Sequence, residues 1–530
     1  MLSTITQDPD ESIVQGPAGE SPSRLGLALL WSLDEPARCG QVALMPKVSR
    51  RAQVVLGRGP AELGALGLTW VEQRPGHNHE TGPLRSPRIS REQLRVSQPE
   101  PGQLELHNVG RCPLLIDGVA VERASLGPGQ VALLGRVALL MCVERPDTLP
   151  ALDPERWPGG LHRFGAADRF GLVGESPVAW ELRVQLGFIG GRAAHVLIRG
   201  ASGTGKELAA QAIHALSPRA ARPLVARNAA TFPETLLDAE LFGNAKNFPN
   251  VGTPERPGLI GEADSGTLSL DEFGELPVAA QAHLLRVLDA GEYARLGEAR
   301  PRRADLRLIA ATNRPDAALK EDVLARLPLR LELPGIDRRR EDIPQLAVHL
   351  LRRIAHHDPG VARRCFPEGD PSQPPCIAVK LMDALVRWPY TTHVRELEAL
   401  LWRAMSWGTG DTLELWPGAV VPGAAPTPEA SAHEGFAARS DPPEVSGARS
   451  VAPAAVAAAA ERPRSEAPAH PEIDPMSIPP ELLQARLDAY GGRQEPVWRE
   501  FGFSSRHVLT RLVRRHNLRV RGRTGEDDES

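Results

Sequence analysis

The feature that most constrains this chain is a glycine-rich segment between an apolar run and a helical pattern. Residues 196–198 are apolar and predict a buried strand, and residues 200–206 follow after Arg199. Glycines let backbone N–H groups converge on phosphate oxygens, the following helix adds its dipole, and Lys206 adds a positive charge. A structural turn is the alternative, because a strict P-loop ends in Ser or Thr. The residues predicted to hold a nucleotide in this segment are Gly200, Ser202, Gly203, Thr204, Gly205, Lys206 and Glu207.

Two later apolar segments also end in polar residues. Residues 266–270 lead into Asp271 and Glu272, and residues 306–312 lead into Asn313. Asp271 is placed to hold Mg²⁺, and Glu272 is placed to polarise an attacking water as a general base. Asn313 is placed to sense the terminal phosphate. A strand that ends at a solvated acidic turn is the alternative for the carboxylates. Three apolar strands with such ends favour a nucleotide-binding site.

The pattern of apolar and polar residues changes several times along the chain. Its 530 residues are too many for a single hydrophobic core. Short apolar runs between Gly and Pro predict β-structure first, and strands then alternate with helical patterns. These changes predict a multidomain fold with a flexible tail at 1–25, an all-β domain at 26–147, an α/β domain at 165–345, a mainly helical region at 346–416, an Ala/Pro-rich linker at 417–475 and an all-α basic domain at 476–522.

Composition narrows the possible partners and the location. The chain has 62 basic and 66 acidic residues and a net charge of -4, so contact with DNA needs a local basic patch. Its five cysteines lack metal-ligand spacing, which suits a reducing cytosol. The N-terminus has no signal-peptide pattern, and no run approaches the roughly 20 apolar residues of a membrane span. We therefore expect a cytoplasmic protein with no membrane partner.

A local basic patch occurs near the C-terminus. Apolar residues there have the spacing of three short helices, with glycines at the junctions. A helix in a major groove needs base-reading side chains near its N-terminus and phosphate-neutralising ones around them. A solvated charged face is the alternative. The residues that we expect to contact DNA lie on the third helix and are Ser505, Arg506, His507, Thr510, Arg511, Arg514 and Arg515.

Several motifs in the middle of the chain resemble a known family. They lie at residues 200–207, 228–230, 240–243, 266–277, 310–314, 339–344 and 394–397. Together they resemble the AAA+ domain of sigma-54-dependent transcription activators, in which Glu207 is the usual residue. The resemblance implies a helical lid at 346–416 and ATP hydrolysis in a homo-oligomer, from a dimer to a hexameric ring. It also implies that Asn228 restrains Glu272, that Arg395 reports the nucleotide state, and that the C-terminal helices form a Fis-type helix-turn-helix on promoter or enhancer DNA.

The chain departs from this family in the loop that grips sigma-54. The family has the pattern GAFTGA there, whereas residues 247–252 of this chain read Asn-Phe-Pro-Asn-Val-Gly. The flanking Lys246 and Arg256 keep the family's spacing, so the loop is substituted and not misaligned. The threonine and the flexible glycines are lost, and Pro249 restricts the backbone. Remodelling of sigma-54 is therefore in question.

A second departure affects the residues that a neighbouring subunit would contribute. Arg326 is kept, but Lys320 stands at the other arginine position. Lysine keeps the charge and loses the planar fork that clamps a phosphoryl group. The sequence thus predicts that ATP binding is retained and that hydrolysis is slowed. The predicted catalytic set is Glu272, Asn228, Arg326 and Lys320.

The N-terminal region resembles an FHA domain, a β-sandwich that binds phosphothreonine peptides. The resemblance rests on residues 57–59, 89–94, 108–110 and 116–118. Two positive groups and a hydroxyl are needed around a phosphate dianion, and Arg58, Ser90 and Arg91 are the candidates. Gln93 stands where the family has histidine, and the family's peptide-contacting asparagine is missing, so a sandwich without a working pocket is the alternative. The resemblance implies a phosphothreonine protein or a Ser/Thr kinase as partner.

Three classes of function remain open on these observations. The first is a DNA-binding transcription regulator, either an ATPase that opens sigma-54 promoters or a nucleotide-switched repressor that does not act on sigma-54. The second is an FHA-based interaction or scaffold protein. The third is a P-loop enzyme with a small substrate, for which the sequence offers no further catalytic cluster. The motifs favour the first class, with the repressor or assembly platform slightly preferred.

Overall fold

The computed structural model describes residues 23–47, 53–59, 66–408 and 410–419 and five positions between 483 and 497. The chain divides into two compact units, Met1–Gly435 and Phe436–Ser530. The described positions of the second unit are helical, and they are Leu483, Gln484, Leu487, Asp488 and Val497. The predicted DNA-contacting residues and most of the predicted linker lie outside the described residues. No helix within the described ranges is long and apolar enough to cross a membrane.

The N-terminal region is all-β, and its strands form two sheets. The strands are β1 Ser23–Ser32, β2 Val42–Leu44, β3 Val54–Leu56, β4 Leu66–Gly67, β5 Trp70–Arg74, β6 His77–Glu80, β7 Leu94–Ser97, β8 Leu104–Asn108, β9 Leu114–Ile116, β10 Val119–Val121, β11 Arg123–Leu126, β12 Val131–Leu134 and β13 Ala138–Pro146. One sheet has the order β10-β9-β12-β13-β1-β2-β5-β6 and the other β11-β8-β7-β3-β4. Strand β1 starts at Ser23, so the predicted tail of residues 1–25 extends too far: Leu25 is already buried in the core.

The middle region is α/β, as its alternating pattern predicts. Its strands are β14 Val196–Arg199, β15 Leu224–Asn228, β16 Thr267–Asp271, β17 Glu292–Tyr293, β18 Arg302–Arg303, β19 Arg307–Thr312 and β20 Leu329–Glu332. Five of them form a parallel sheet in the order β15-β16-β19-β14-β20. The carboxyl ends of these strands therefore meet at one edge, where ligands of open α/β sheets bind.

Helices surround this sheet and continue beyond it. The α-helices are α1 Pro177–Gly190, α2 Lys206–Ala215, α3 Leu237–Phe242, α4 Gly258–Glu262, α5 Val278–Ala290, α6 Glu321–Ala325, α7 Ile343–His357, α8 Pro359–Cys365, α9 Val379–Arg387 and α10 His393–Trp407. The 3₁₀ helices are Pro36–Arg38, Ala229–Thr231, Glu234–Leu236, Phe273–Glu275, Asp316–Ala318, Ile336–Asp342 and Pro367–Gly369. Helices α7 to α10 form the mainly helical region, which begins three residues before the predicted start at 346 because α7 begins at Ile343.

One of the two hydrophobic cores to which the β-region contributes is shared with the helical region. Strands β1 and β13 alternate between two cores: Leu27 and Leu140 lie between the two sheets, whereas Leu30 and Met141 pack with residues of α7, α9 and α10. This explains why β1 is apolar on both faces. A strand with one solvent-exposed face would alternate apolar with polar residues. The indole Nε1 of Trp31 donates to the Ile377 carbonyl oxygen at 3.1 Å.

Polar contacts cross the same junction. Nη2 of Arg145 on β13 donates to Oε2 of Glu341 at 2.6 Å, and both side chains are largely buried. Burial raises the pKa of Glu341, and Arg145 opposes that rise. At the rim, Nη1 of Arg387 at the end of α9 donates to Oδ1 of Asp117 at 2.6 Å. The sandwich and the helical region are thus joined by apolar packing and by buried charge.

Candidate nucleotide site

The predicted phosphate loop connects β14 to α2 at the carboxyl edge of the parallel sheet. Gly203 and Gly205 have φ values of +80° and +98°, a region that glycine adopts without strain. The Lys206 side chain is buried, and its Nζ donates to the Gly200 carbonyl oxygen at 3.2 Å. The hydroxyl of Thr204 bonds to the Ala201 carbonyl at 2.9 Å, which closes the loop on itself. Glu207 lies in the first turn of α2 and is exposed.

The acidic pair lies beside this loop. Asp271 is the last residue of β16, and Glu272 follows with φ +50°. Oε1 of Glu272 is 3.9 Å from Nζ of Lys206. Oδ1 of Asp271 and Oε2 of Glu272 are buried without a hydrogen-bond partner among the described residues. Buried carboxylate oxygens normally have a partner, so this pair fits a cation and an ordered water.

The two predicted asparagines occupy the neighbouring strand ends. Asn228 ends β15 and is in register with Asp271 across the sheet. Its Oδ1 accepts a hydrogen bond from Ala230 N at 2.9 Å, and within the described contacts it makes none to Glu272. Asn313 follows β19 and is exposed at the same edge. The sheet therefore brings both residues to the site, while the implied restraint of Glu272 by Asn228 stays a prediction.

The helical region reaches this loop through its last helix. Nη1 of Arg395 donates to Oγ of Ser202 at 3.0 Å, and Val394 N donates to the Gly203 carbonyl at 3.2 Å. Arg395 and Ser202 are thus in direct contact although 193 residues separate them in the chain. The sequence places both residues in the nucleotide site, but nothing in it indicates that they touch each other.

The residues predicted to act on a neighbouring subunit lie apart from this loop. Arg326 forms an ion pair with Asp289 on α5, through both Nε and Nη2. Lys320 precedes α6, and its backbone N donates to Oε1 of Gln281 at 3.0 Å. Within the described contacts neither side chain reaches the phosphate loop of its own chain. This placement agrees with a role toward another subunit, which stays a prediction.

The substituted loop at 247–252 is held by hydrogen bonds of its own. Oδ1 of Asn247 accepts from Gly252 N at 2.9 Å. Beneath it, Nδ2 of Asn244 donates to the carbonyls of Phe248 and Pro254 at 3.3 and 2.8 Å. Val251 at the tip is 96% exposed. Asn244 belongs to none of the sequence motifs, and its role is visible only in the structure, where its buried amide bridges two segments of the loop.

The predicted phosphopeptide residues lie at one end of the sandwich. Arg58 N donates to the Ser90 carbonyl at 2.8 Å, so these two residues are neighbours, and Arg91 is exposed beside them. Oγ of Ser90 accepts from Arg111 N at 2.9 Å. Gln93 is buried, and its Nε2 donates to Oδ1 of Asn108 at 2.6 Å. Glutamine therefore bridges the loops at the position where the resembled family has histidine.

Comparison with known proteins places the site in a family. The profile described as the Sigma-54 interaction domain matches residues 172–333. The transcriptional regulatory protein ZraR of Salmonella typhi is 32% identical over 371 residues, which cover 69% of this chain and 73% of that protein.

Two further relatives match over shorter segments. ZraR of Salmonella typhimurium is 38% identical over 49% of this chain and 58% of its own length. The DNA-binding transcriptional regulator NtrC of Klebsiella pneumoniae is 39% identical over 43% of this chain and 47% of its own length. The chain thus spans about half the length of these two relatives. With the profile match to its α/β domain and with these similarities, the chain belongs to the family of sigma-54-dependent transcriptional regulators that includes ZraR and NtrC.

Proposed function

We propose that this chain is an ATP-binding regulator of transcription that works as a homo-oligomer on promoter or enhancer DNA. The observation that carries the nucleotide binding is the meeting of Lys206, Asp271 and Glu272 at one sheet edge, and the family similarity supports the role in transcription. Two carboxylate oxygens there are buried and unpartnered among the described residues. Lys206 and the loop amides would hold the phosphates of ATP, and Asp271 would hold Mg²⁺.

The same geometry supports slow hydrolysis of ATP in an assembled ring. Glu272 would orient and deprotonate the attacking water, and bound Mg²⁺ would neutralise charge on the phosphates. Asn228, Asn313 and Arg395 would respond to the terminal phosphate. Arg326 and Lys320 would come from the next subunit, where lysine makes a weaker clamp than arginine.

Replacement of Lys206 by alanine tests the nucleotide site. We expect the affinity for a fluorescent ATP analogue to fall about 10- to 100-fold, because a charge-assisted hydrogen bond to phosphate is lost. Fluorescence titration of the full chain measures this. Lys246→Ala is the control, since Lys246 is exposed and flanks the substituted loop. Equal affinity of the Lys206→Ala and natural chains would contradict the proposed site.

We propose two further activities for the ends of the chain. The Fis-type helices at 476–522 would bind DNA through the arginines of their third helix. The sandwich would bind a phosphothreonine peptide through Arg58, Ser90 and Arg91, so that a Ser/Thr kinase supplies the input. Their support is the sequence pattern and, for the sandwich, the adjacency of Arg58 and Ser90. An FHA-based scaffold would share the second activity and lack specific DNA binding.

For the output, the loop at 247–252 favours regulation that does not remodel sigma-54. The family's activators need a flexible threonine-containing loop, whereas Asn244 and Asn247 hold this one by hydrogen bonds. The surface at its tip is the side chain of Val251. A nucleotide-switched repressor or assembly platform is therefore the preferred output, and an ATPase acting on sigma-54 is the second candidate.

Gel filtration with purified sigma-54 and an ATP transition-state mimic separates these outputs. We expect the natural chain to elute without sigma-54, and a variant carrying GAFTGA at 247–252 to retain it. If the grafted variant retains sigma-54, the ring assembles. The grafted variant is therefore the positive control for the natural chain. Co-elution of sigma-54 with the natural loop would instead establish a conventional activator.

A further inference from the structure

The start of α10 lies directly against the phosphate loop. If Gly203 carried a Cβ, that atom would be 2.1 Å from the Thr392 carbonyl oxygen. Val394 N bonds to the Gly203 carbonyl, and Arg395 bonds to Ser202. The residue at position 203 must therefore adopt a positive φ and lack a side chain, and glycine meets both conditions. The contact is backbone to backbone, so a change in the loop's shape must be felt by residues 392–395.

One carboxylate holds this part of the helical region in shape. Oε2 of Glu396 accepts hydrogen bonds from Thr391 N at 2.7 Å, Thr391 Oγ1 at 3.1 Å and Thr392 N at 3.1 Å. Its Oε1 accepts from Trp388 Nε1 at 3.0 Å. Burial alone would raise the pKa of Glu396, but these hydrogen bonds outweigh it and hold the pKa below its usual value. A negative charge in the first turn also suits the helix dipole.

We propose that Glu396 is a positioning residue for nucleotide reading, because its carboxylate fixes the segment 391–395 that touches Ser202 and Gly203. The proposal rests on the proposed binding of ATP at this loop. Without the carboxylate, two backbone N–H groups lose their acceptor, and the segment no longer holds Arg395 on Ser202. The described hydrogen bonds of the Glu396 side chain go to Trp388, Thr391 and Thr392 and not to the phosphate loop, so Glu396 would act through residues 391–395.

Three variants of the full chain test the proposal. Glu396→Ala removes all four acceptor contacts. Glu396→Gln keeps one oxygen for Thr391 and Thr392 and loses the bond to Trp388, so it is the conservative rescue. Glu398→Ala is the matched control, because Glu398 lies two residues further along α10 and pairs with Arg353 at 2.8 Å.

The lost hydrogen bonds should lower the melting temperature of Glu396→Ala modestly, and we expect its binding of a fluorescent ATP analogue to weaken about 3- to 30-fold. The glutamine variant should recover most of this loss, and the control should bind as the natural chain does. Unchanged affinity in Glu396→Ala, or a loss that glutamine does not recover, would overturn the proposal. So would a loss accompanied by a lower melting temperature in the glutamine and alanine variants alike, since that pattern indicates a structural role.

Hydrogen exchange without nucleotide separates this proposal from the proposed function. In Glu396→Ala, amides in the peptides covering 199–206 and 391–395 should exchange faster than in the natural chain, while peptides of β16 should not change. Equal exchange in both peptides would overturn the positioning role, whatever the chain binds. If the natural chain binds no ATP analogue and the Lys206→Ala variant behaves identically, the proposed function fails, and the nucleotide-reading part of this proposal fails with it.

Discussion

Replacing Arg145 by alanine is expected to lower the free energy of unfolding of the first unit by about 3–5 kcal/mol, because it leaves Glu341 buried without its partner. Nη1 of Arg145 also donates to Oε1 of Gln73 at 3.2 Å and to the Glu175 carbonyl at 3.3 Å. Those acceptors lie between the β-sandwich and the AAA+ domain and would lose their donor too. Urea unfolding followed by circular dichroism measures the change.

The pH dependence of this variant has a defined sign. Burial raises the pKa of Glu341, and Arg145 holds that rise in check, so removing Arg145 raises the pKa further. The folded state then binds a proton more tightly than the unfolded state does. Stability therefore falls as pH rises through the folded pKa, and lowering the pH from neutral recovers part of the loss.

Two other variants, one control and one rescue, test this prediction. Arg95→Ala breaks an exposed pair with Glu92 in the same sandwich and should cost no more than about 1 kcal/mol. The double variant Arg145→Met, Glu341→Leu leaves no unpaired buried charge and should regain most of the stability. A small loss in Arg145→Ala, similar to that in Arg95→Ala, would show that the buried pair does not hold the junction together.

Replacing Glu272 by glutamine is expected to lower the rate of ATP hydrolysis by about 10²- to 10⁴-fold while ATP binding is retained. Glutamine keeps the size of the side chain and its contact with the loop but cannot accept a proton from water. Oε2 of Glu272 is buried without a partner in the described structure, and Lys206 lies 3.9 Å from Oε1. The position of Glu272 therefore suits a general base whose free oxygen would accept a hydrogen bond from the attacking water. Phosphate release at saturating ATP measures the rate.

Glu275→Gln is the control for this variant. Glu275 lies three residues further along the same turn, and both of its oxygens accept hydrogen bonds from Arg314 at 2.7 and 3.0 Å. Its pKa is lowered, chiefly by the hydrogen bond from Arg314, so it is an exposed carboxylate with an arginine partner of its own. We expect its hydrolysis rate to stay within a few fold of the natural chain. Equal loss in both variants would refute the assignment of the base to Glu272.

The nucleotide site could be placed from the sequence because its parts are local. The strand, the glycines and Lys206 follow one another within a few residues, and each has a conformational signature. Asp271 and Asn313 are predicted at the same edge since parallel strands share the direction of their carboxyl ends. The β and α/β textures are likewise periodic patterns. All of these predictions depend on neighbours in the chain.

What the sequence does not reveal depends on residues far apart in the chain. Arg145 and Glu341 are separated by 196 positions, and neither belongs to a local motif. The two apolar faces of β1 indicate a strand buried on both sides but not what covers it. The contact of Thr392 with Gly203 depends on the path of the chain between α9 and α10, which no periodicity specifies. The tail prediction was too long because β1 begins with two polar residues, Ser23 and Arg24, which do not stand out from the polar residues before them.

The double burial of β1 and β13 has a practical consequence for studies that dissect this protein. Cutting the chain near residue 147 would expose Leu30, Met141 and their partners on α7 and α9 as a wet apolar surface on both fragments. Aggregation or altered activity of such fragments would then result from the exposed apolar surface, and it would not show that the removed part inhibits the rest of the chain. The sandwich and the helical region share this hydrophobic core, so point substitutions are the informative way to study either of them.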